Sequence, residues 1–337
     1  MKKTLIILVL SAGTFASSRA DTGRSNGDKD SLLPVRTGLS KIEADEPLTA
    51  NLLDIEAGYS LSGDHRRALI GLVRLARMKA AIRNRKIRLR FYNDLARVSA
   101  RLRLYPLAMK CYYSAVHLAD ESDSEALVIT EDDLPADSVC EGRWPTTRSR
   151  PIKMADLLAA FEDGKEAISY ALLAEVKQPV PGKRRSFTHI NNVGHMFITL
   201  IKYNKDKSIV CRSFGFYPHK STLLSGTPFC PRSSSVIKDD AGHAWDEIAG
   251  KFISPRRFGK IIGILRSYDE RPYDLNRNNC TDFGLTIARL GGIGIADATG
   301  HWPLGNGNNP GSAGQNILEG KVCNIDEDNT DPLFVSD

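Results

Sequence analysis

The sequence predicts an α+β chain, with an all-helical part first and an antiparallel sheet packed on helices after it. Three observations carry that prediction. Strand-like runs at 168–176, 193–203 and 208–217 are divided by turn chemistry, Gln178-Pro179-Val180-Pro181-Gly182 and Asn204-Lys205-Asp206-Lys207. Further on, Phe258, Ile261, Ile262 and Leu265, and then Phe283, Ile287 and Leu290, recur at spacings that give a helix one apolar face. Between Leu52 and Leu118 the period is helical throughout. With 337 residues, 42% hydrophobic and 26% charged, the composition is that of a globular protein with room for two domains.

From the start of the chain, Met1-Lys2-Lys3 precedes the apolar run Thr4–Leu10 and the small residues that end in Ser18-Arg19-Ala20. That order predicts a signal peptide over 1–20 and export to a bacterial periplasm or the exterior. No later stretch reaches the eighteen or more apolar residues of a membrane helix, so the protein is expected not to be transmembrane. Removing Lys2, Lys3 and Arg19 lowers the formal charge from +6 to +3, too near balance to name a partner. Residues 21–48 are polar without a period and predict a flexible leader.

Residues 49–120 predict a small helical domain beside its neighbour. Tyr59, Ala68 and Leu72 stand at the spacings of Ser99, Ala108 and Tyr112, and the unit from Tyr92 to Leu118 resembles a tetratricopeptide repeat, two antiparallel helices closing on alanines. On that reading 49–120 is dispensable for turnover of a small substrate. Between Asp64 and Lys110 fourteen Lys or Arg face two Asp, a basic field suited to a polyanion or a protein partner. Export makes nucleic acid an unexpected one. Residues 120–137 hold eight acids and no base, and are expected to fold back on the basic helices. Residues 121–165 read as this acidic linker followed by a short helix carrying Met154, Leu157, Leu158 and Phe161 on one side.

The sheet domain is expected over 166–322. Its first strands form a meander; another strand is predicted from Gly242-His243-Ala244-Trp245 toward Ile253. Ser254-Pro255 then supplies an N-cap and a proline at the first helical position. Residues 301–311, rich in Gly, Asn and Pro, predict a long loop over the cleft, and 323–337 an acidic, frayed tail.

The chemistry centres on Asn278-Asn279-Cys280-Thr281-Asp282-Phe283, which sets a thiol at the start of a helix. There it meets unpaired backbone N–H groups and the positive end of the helix dipole, and both favour the thiolate. His195, on the strand 193–203, is the base that completes a thiol nucleophile. Six cysteines follow the leader; with Cys280 free, Cys211 and Cys230 close the shortest loop among the rest. No Cys-x-x-Cys or His-x-x-x-His pair suggests zinc, and no phosphate-cradling or dinucleotide glycine motif occurs, so neither metal nor cofactor is predicted.

A strand histidine followed by Asn279-Cys280-x-x-Phe283 resembles the circularly permuted branch of the NlpC-type papain-like hydrolases, which includes the lecithin–retinol acyltransferase relatives. The resemblance covers about residues 166–320. It implies a papain-like antiparallel sheet on a cysteine-bearing helix, Cys280 as nucleophile, His195 as base, and amide bonds of cell-wall peptides as substrate, with acyl esters or acyl transfer second. The position that orients the histidine in that family falls on the next strand, at Ser213 or Arg212, with His243 as another possibility. Asn279, Tyr217 and Trp302 are the expected substrate contacts. The other function class is an exported binding protein that uses the helical repeats and carries a degenerate papain-like domain.

Overall fold

Seven antiparallel strands form the sheet that carries the fold: β1 (Arg150–Pro151), β2 (Ala167–Lys177), β3 (His195–Asn204), β4 (Ile209–Pro218), β5 (Ser235–Asp239), β6 (Glu247–Ile253) and β7 (Phe334–Ser336). They lie in the order β1-β5-β4-β3-β2-β6-β7. This is a computed structural model, and it describes residues 73, 76, 84–118, 127–134, 149–187, 193–222 and 224–336. The expected signal peptide, leader and first helical unit lie outside the described residues, apart from Val73 and Ala76.

All ten residues of the central strand β3 are buried, so both faces of the sheet are covered. Alternation along the strand divides its side chains between two cores. Phe197, Ile201 and Tyr203 join a cluster with the first two helices, α1 (Arg85–Arg101) and α2 (Tyr105–Val116). Met196, Ile198 and Leu200 join the second, built with α3 (Met154–Ala159), α4 (Pro255–Tyr268), α5 (Cys280–Leu290) and α6 (Pro310–Leu318). The helical hairpin is thus one layer of a three-layer unit, rather than a separable neighbour. It shares its core with the sheet, and the Tyr203 hydroxyl donates to the Pro106 carbonyl at 2.9 Å.

Local chemistry sets the helix ends. Asn84 caps α1, its side chain accepting from the Lys86 N–H at 2.9 Å. Ser254 caps α4, where Pro255 occupies the first position as the sequence predicts. Ala96 and Ala108, both fully buried, let α1 and α2 approach. The acidic stretch meets the basic helices in a buried ion pair of 2.6 Å between Lys110 and Asp133.

Four expectations change. The strand predicted from Gly242 begins only at Glu247, and residues 240–246 form a loop. The predicted loop 301–311 is instead a ribbon, Thr299–Trp302 paired with Gly305–Asn308, followed by α6 capped by Asn309. Its Gly and Asn suit the tight turn and the cap, and that composition hides the strands between them. The tail after Val322 is fixed: Val322–Asn324 pairs with Ile293–Ile295, and β7 extends the sheet beside β6. Cys211 and Cys230 are free thiols, as are Cys111, Cys280 and Cys323; Cys140 lies outside the described residues.

Candidate active site

Asn279 prepares the helix that carries the thiol. Its side-chain oxygen accepts from the N–H groups of Thr281 (2.7 Å) and Asp282 (3.1 Å), and Asp282 returns the contact by accepting from the Asn279 N–H at 2.9 Å. This reciprocal capping box satisfies N–H groups the helix leaves open. The Asn279 amide donates both ways as well, to the carbonyls of Leu275 and Asn308, each at 2.8 Å. Every polar atom of that side chain is committed, so Asn279 holds the helix start in place and is not a substrate contact.

Cys280 follows as the first residue of α5, 9% exposed, near enough to His195 that the imidazole lowers its thiol pKa. The chain enters β3 through Gly194, in the left-handed region at φ 71°, where a Cβ would strike the Lys177 carbonyl. His195 then places its Nε2 at 3.1 Å from Oδ2 of Asp240, a carboxylate with no exposed surface. With Nε2 on Asp240, Nδ1 is the nitrogen left for the thiol.

Asp240 is the residue that sequence reasoning missed. It follows β5, a strand that the periodicity did not reveal, and it comes from two places along the sheet from the histidine strand, not from the next strand. Tyr217 donates to Oδ1 of Asp240 at 2.7 Å and Ser149 at 2.5 Å, so the carboxylate is held by three partners. The Tyr217 ring lies 4.2 Å from the His195 ring between centroids. Tyr217 therefore braces the base and its carboxylate rather than facing substrate.

The chain matches no protein-family model, no curated protein and no solved structure. The chemistry of the site has to speak through its own geometry.

Burial opposes charge at His195, yet the charge and hydrogen bond of Asp240, helped by Cys280, outweigh it and hold the imidazole at about 9. Burial likewise pushes the Cys280 thiol up, but the hydrogen bond and charge of His195 prevail, and its pKa is lowered. Asp240 also stays low against its burial, because His195 faces it. The three groups thus favour thiolate, imidazolium and carboxylate together. Tyr273 is a buried phenol that burial, and then the neighbouring Cys280, keeps protonated.

Other expected residues take different places. Ser213 does not reach His195: it lies 2.6 Å from Thr199, which donates to Glu175 at 2.6 Å, a buried chain across three strands. Arg212 is exposed, bonding to the Cys211 carbonyl. His243 stands 5.1 Å from His195 between ring centroids, but its Nδ1 meets the Ala244 carbonyl at 2.7 Å. Burial and the facing His195 lower its pKa to about 4, so it is neutral near pH 7 and cannot serve as the orienting anion. Trp302 donates to the Asn276 side chain at 3.2 Å and is half-buried, pinning the ribbon to the segment before Cys280. Among the described residues no cluster of His, Cys, Asp and Glu could hold a metal ion, and no helix is long and apolar enough to cross a membrane.

Proposed function

We propose that the protein is a thiol hydrolase of the circularly permuted papain-like kind, in which Cys280 is the nucleophile, His195 the acid–base group and Asp240 the orienting carboxylate. One observation carries this reading: His195 is bound at Nε2 by a fully buried Asp240, and the same imidazole acts on the Cys280 thiol. Nucleophile, base and orienter in a row are the arrangement that thiol acyl transfer needs.

The thiolate attacks the substrate carbonyl carbon, and the oxygen takes up the electron pair beside the Cys280 N–H. The tetrahedral species collapses as the His195 imidazolium gives its proton to the leaving amine, which leaves a thioester on Cys280. His195, now neutral, takes a proton from water; the hydroxide attacks the thioester, and a carboxylic acid departs with the thiol restored. An alcohol in place of water would make the same site an acyltransferase.

The resemblance at Asn279-Cys280-x-x-Phe283 favours amides of cell-wall peptides as substrate, and the signal peptide expected at 1–20 favours export. The hairpin α1–α2, over Tyr92–Leu118, is read as one tetratricopeptide-like unit. A purely binding role would suit a site whose histidine had no orienting group, and the contact of Asp240 with His195 favours catalysis instead.

The test needs no substrate. Iodoacetamide at pH 6, followed by peptide mapping of the folded protein, is expected to label Cys280 before any other cysteine, and His195→Ala to slow that labelling. First labelling at another cysteine, or a rate at Cys280 indifferent to His195, would sink the hydrolase reading.

A further inference from the structure

The turn between α1 and α2 reaches the loop that carries Asp240. At that turn Arg103 has φ 60°, a left-handed backbone that long side chains seldom adopt. From there its Nε donates to the His243 carbonyl at 3.2 Å. Arg101 lies alongside, its guanidinium 4.2 Å over the ring of the buried Trp245. The loop is tied on its other side to the sheet: the Asp240 N–H donates to the Ser213 carbonyl at 2.9 Å, and the His243 N–H to the Asp240 carbonyl at 2.8 Å. A short covalent and hydrogen-bonded path therefore runs from Arg103 through His243 to Asp240.

We propose that the helical hairpin is a positioning element of the cysteine–histidine site, in which Arg103, supported by Arg101, holds the 240–245 loop where Asp240 meets His195. The proposal rests on the thiol-hydrolase reading and deepens it. It replaces the view of the hairpin as dispensable with one in which a distant helical layer sets how well the base is oriented. Arg103 touches none of the reacting atoms and acts through the loop. Asp240 on the loop acts on His195 directly, His243 faces the same imidazole, and Tyr217 on β4 and Tyr273 ahead of α5 face Cys280; Glu175 on β2 acts on Asp240, and Arg103 on the hairpin on His243.

The experiment compares the full-length protein with Arg103→Gly and Arg103→Lys, following Cys280 alkylation by iodoacetamide across pH together with thermal melting. Glycine removes the guanidinium while relieving the left-handed backbone, so this variant is expected to melt no earlier than the wild type. Its alkylation midpoint is expected to rise by about one pH unit, which below the midpoint slows labelling about tenfold. Arg103→Lys should recover part of the difference. Should the glycine variant melt early, Arg103→Met carries the same comparison, with the aliphatic stem kept and the Nε donor removed. A reactive wild-type Cys280 whose pH profile is unmoved in these variants overturns the proposal alone. A wild-type Cys280 no more reactive than the other thiols overturns the hydrolase reading beneath it.

Discussion

Gly215 and His195 are in contact with no room for a methyl group between them: a Cβ on Gly215 would collide with His195 Nε2 and with Asp240 Oδ2. The base and its carboxylate are seated on bare backbone of β4. Gly215 is not among the positive-φ residues, so alanine can adopt its backbone and the penalty is confined to the collision. Gly215→Ala is expected to keep the fold, lose about 1–3 kcal/mol to overpacking, and slow Cys280 alkylation to the rate of His195→Ala. Denaturant unfolding and alkylation on the same sample check both halves. Wild-type alkylation in a folded Gly215→Ala protein would mean that the His195–Asp240 contact does not govern the thiol.

Asp240 and His243 compete for the orienting role, and their contacts separate them. Asp240 accepts from His195 at 3.1 Å, whereas the His243 Nδ1 is engaged with the Ala244 carbonyl. Asp240→Asn removes the charge that outweighs burial at His195 and is expected to slow alkylation at pH 6 by about tenfold or more, on the scale of one pKa unit. His243→Gln should cost clearly less. If the two variants rank the other way round, His243 is the orienting group.

The pH dependence follows from the two shifted groups. The His195 pKa stands at about 9, above its ordinary 6.5, so its contribution to stability is full below 6.5 and fades as pH rises through about 9. The Cys280 pKa is lowered from 9.0, so its contribution is present above 9.0 and fades as pH falls through the lowered value. The ion pair is populated between the lowered thiol value and about 9. Turnover of an amide should hold a plateau in that window and fall through about 9, as the imidazolium that protonates the leaving amine is lost. Alkylation needs only the thiolate and should not fall there. Cys211, pushed up to about 12 by burial, should stay unlabelled across the window. Labelling of Cys280 with the midpoint of an ordinary thiol would show that the pair does not form.

The helix that presents Cys280 was legible because capping and a 3.6-residue period are local signals, and Asn279, Asp282, Phe283 and Ile287 display both. β3 was legible for a similar reason, a long β-prone run closed by turn residues. Asp240 was not, because its role depends on β5 lying beside β4, a pairing between segments whose five-residue strand has no clear alternation. The same holds for Arg103, whose partner His243 is 140 residues away. Tyr217 is expected from the sequence as a substrate contact, and the sequence carries no sign that its hydroxyl turns inward to Asp240. The C-terminal segment reads as a frayed tail because its acids look solvated when the buried lysine that meets one of them is far away in sequence.

That lysine gives the last prediction. Lys251 on β6 and Asp326 have fully buried side chains and meet at 3.2 Å, and Arg257 at the start of α4 reaches the same carboxylate at 2.8 Å. Lys251 also donates to the Asn324 side chain at 2.8 Å, so one ammonium ties the C-terminal segment to the sheet. Removing one partner of a buried pair leaves the other charge without compensation, which typically costs about 3–5 kcal/mol. Asp326→Ala strands Lys251 and is expected to fall in that range. Lys251→Met leaves Asp326 still paired with Arg257, so its cost should be smaller. Adding Lys251→Met to Asp326→Leu should recover stability relative to Asp326→Leu alone, because the uncompensated ammonium is then gone. Denaturant unfolding of the four variants reads the order directly. A loss below about 1 kcal/mol for Asp326→Ala, the scale of an exposed pair, would show that the C-terminal segment is not anchored through this carboxylate.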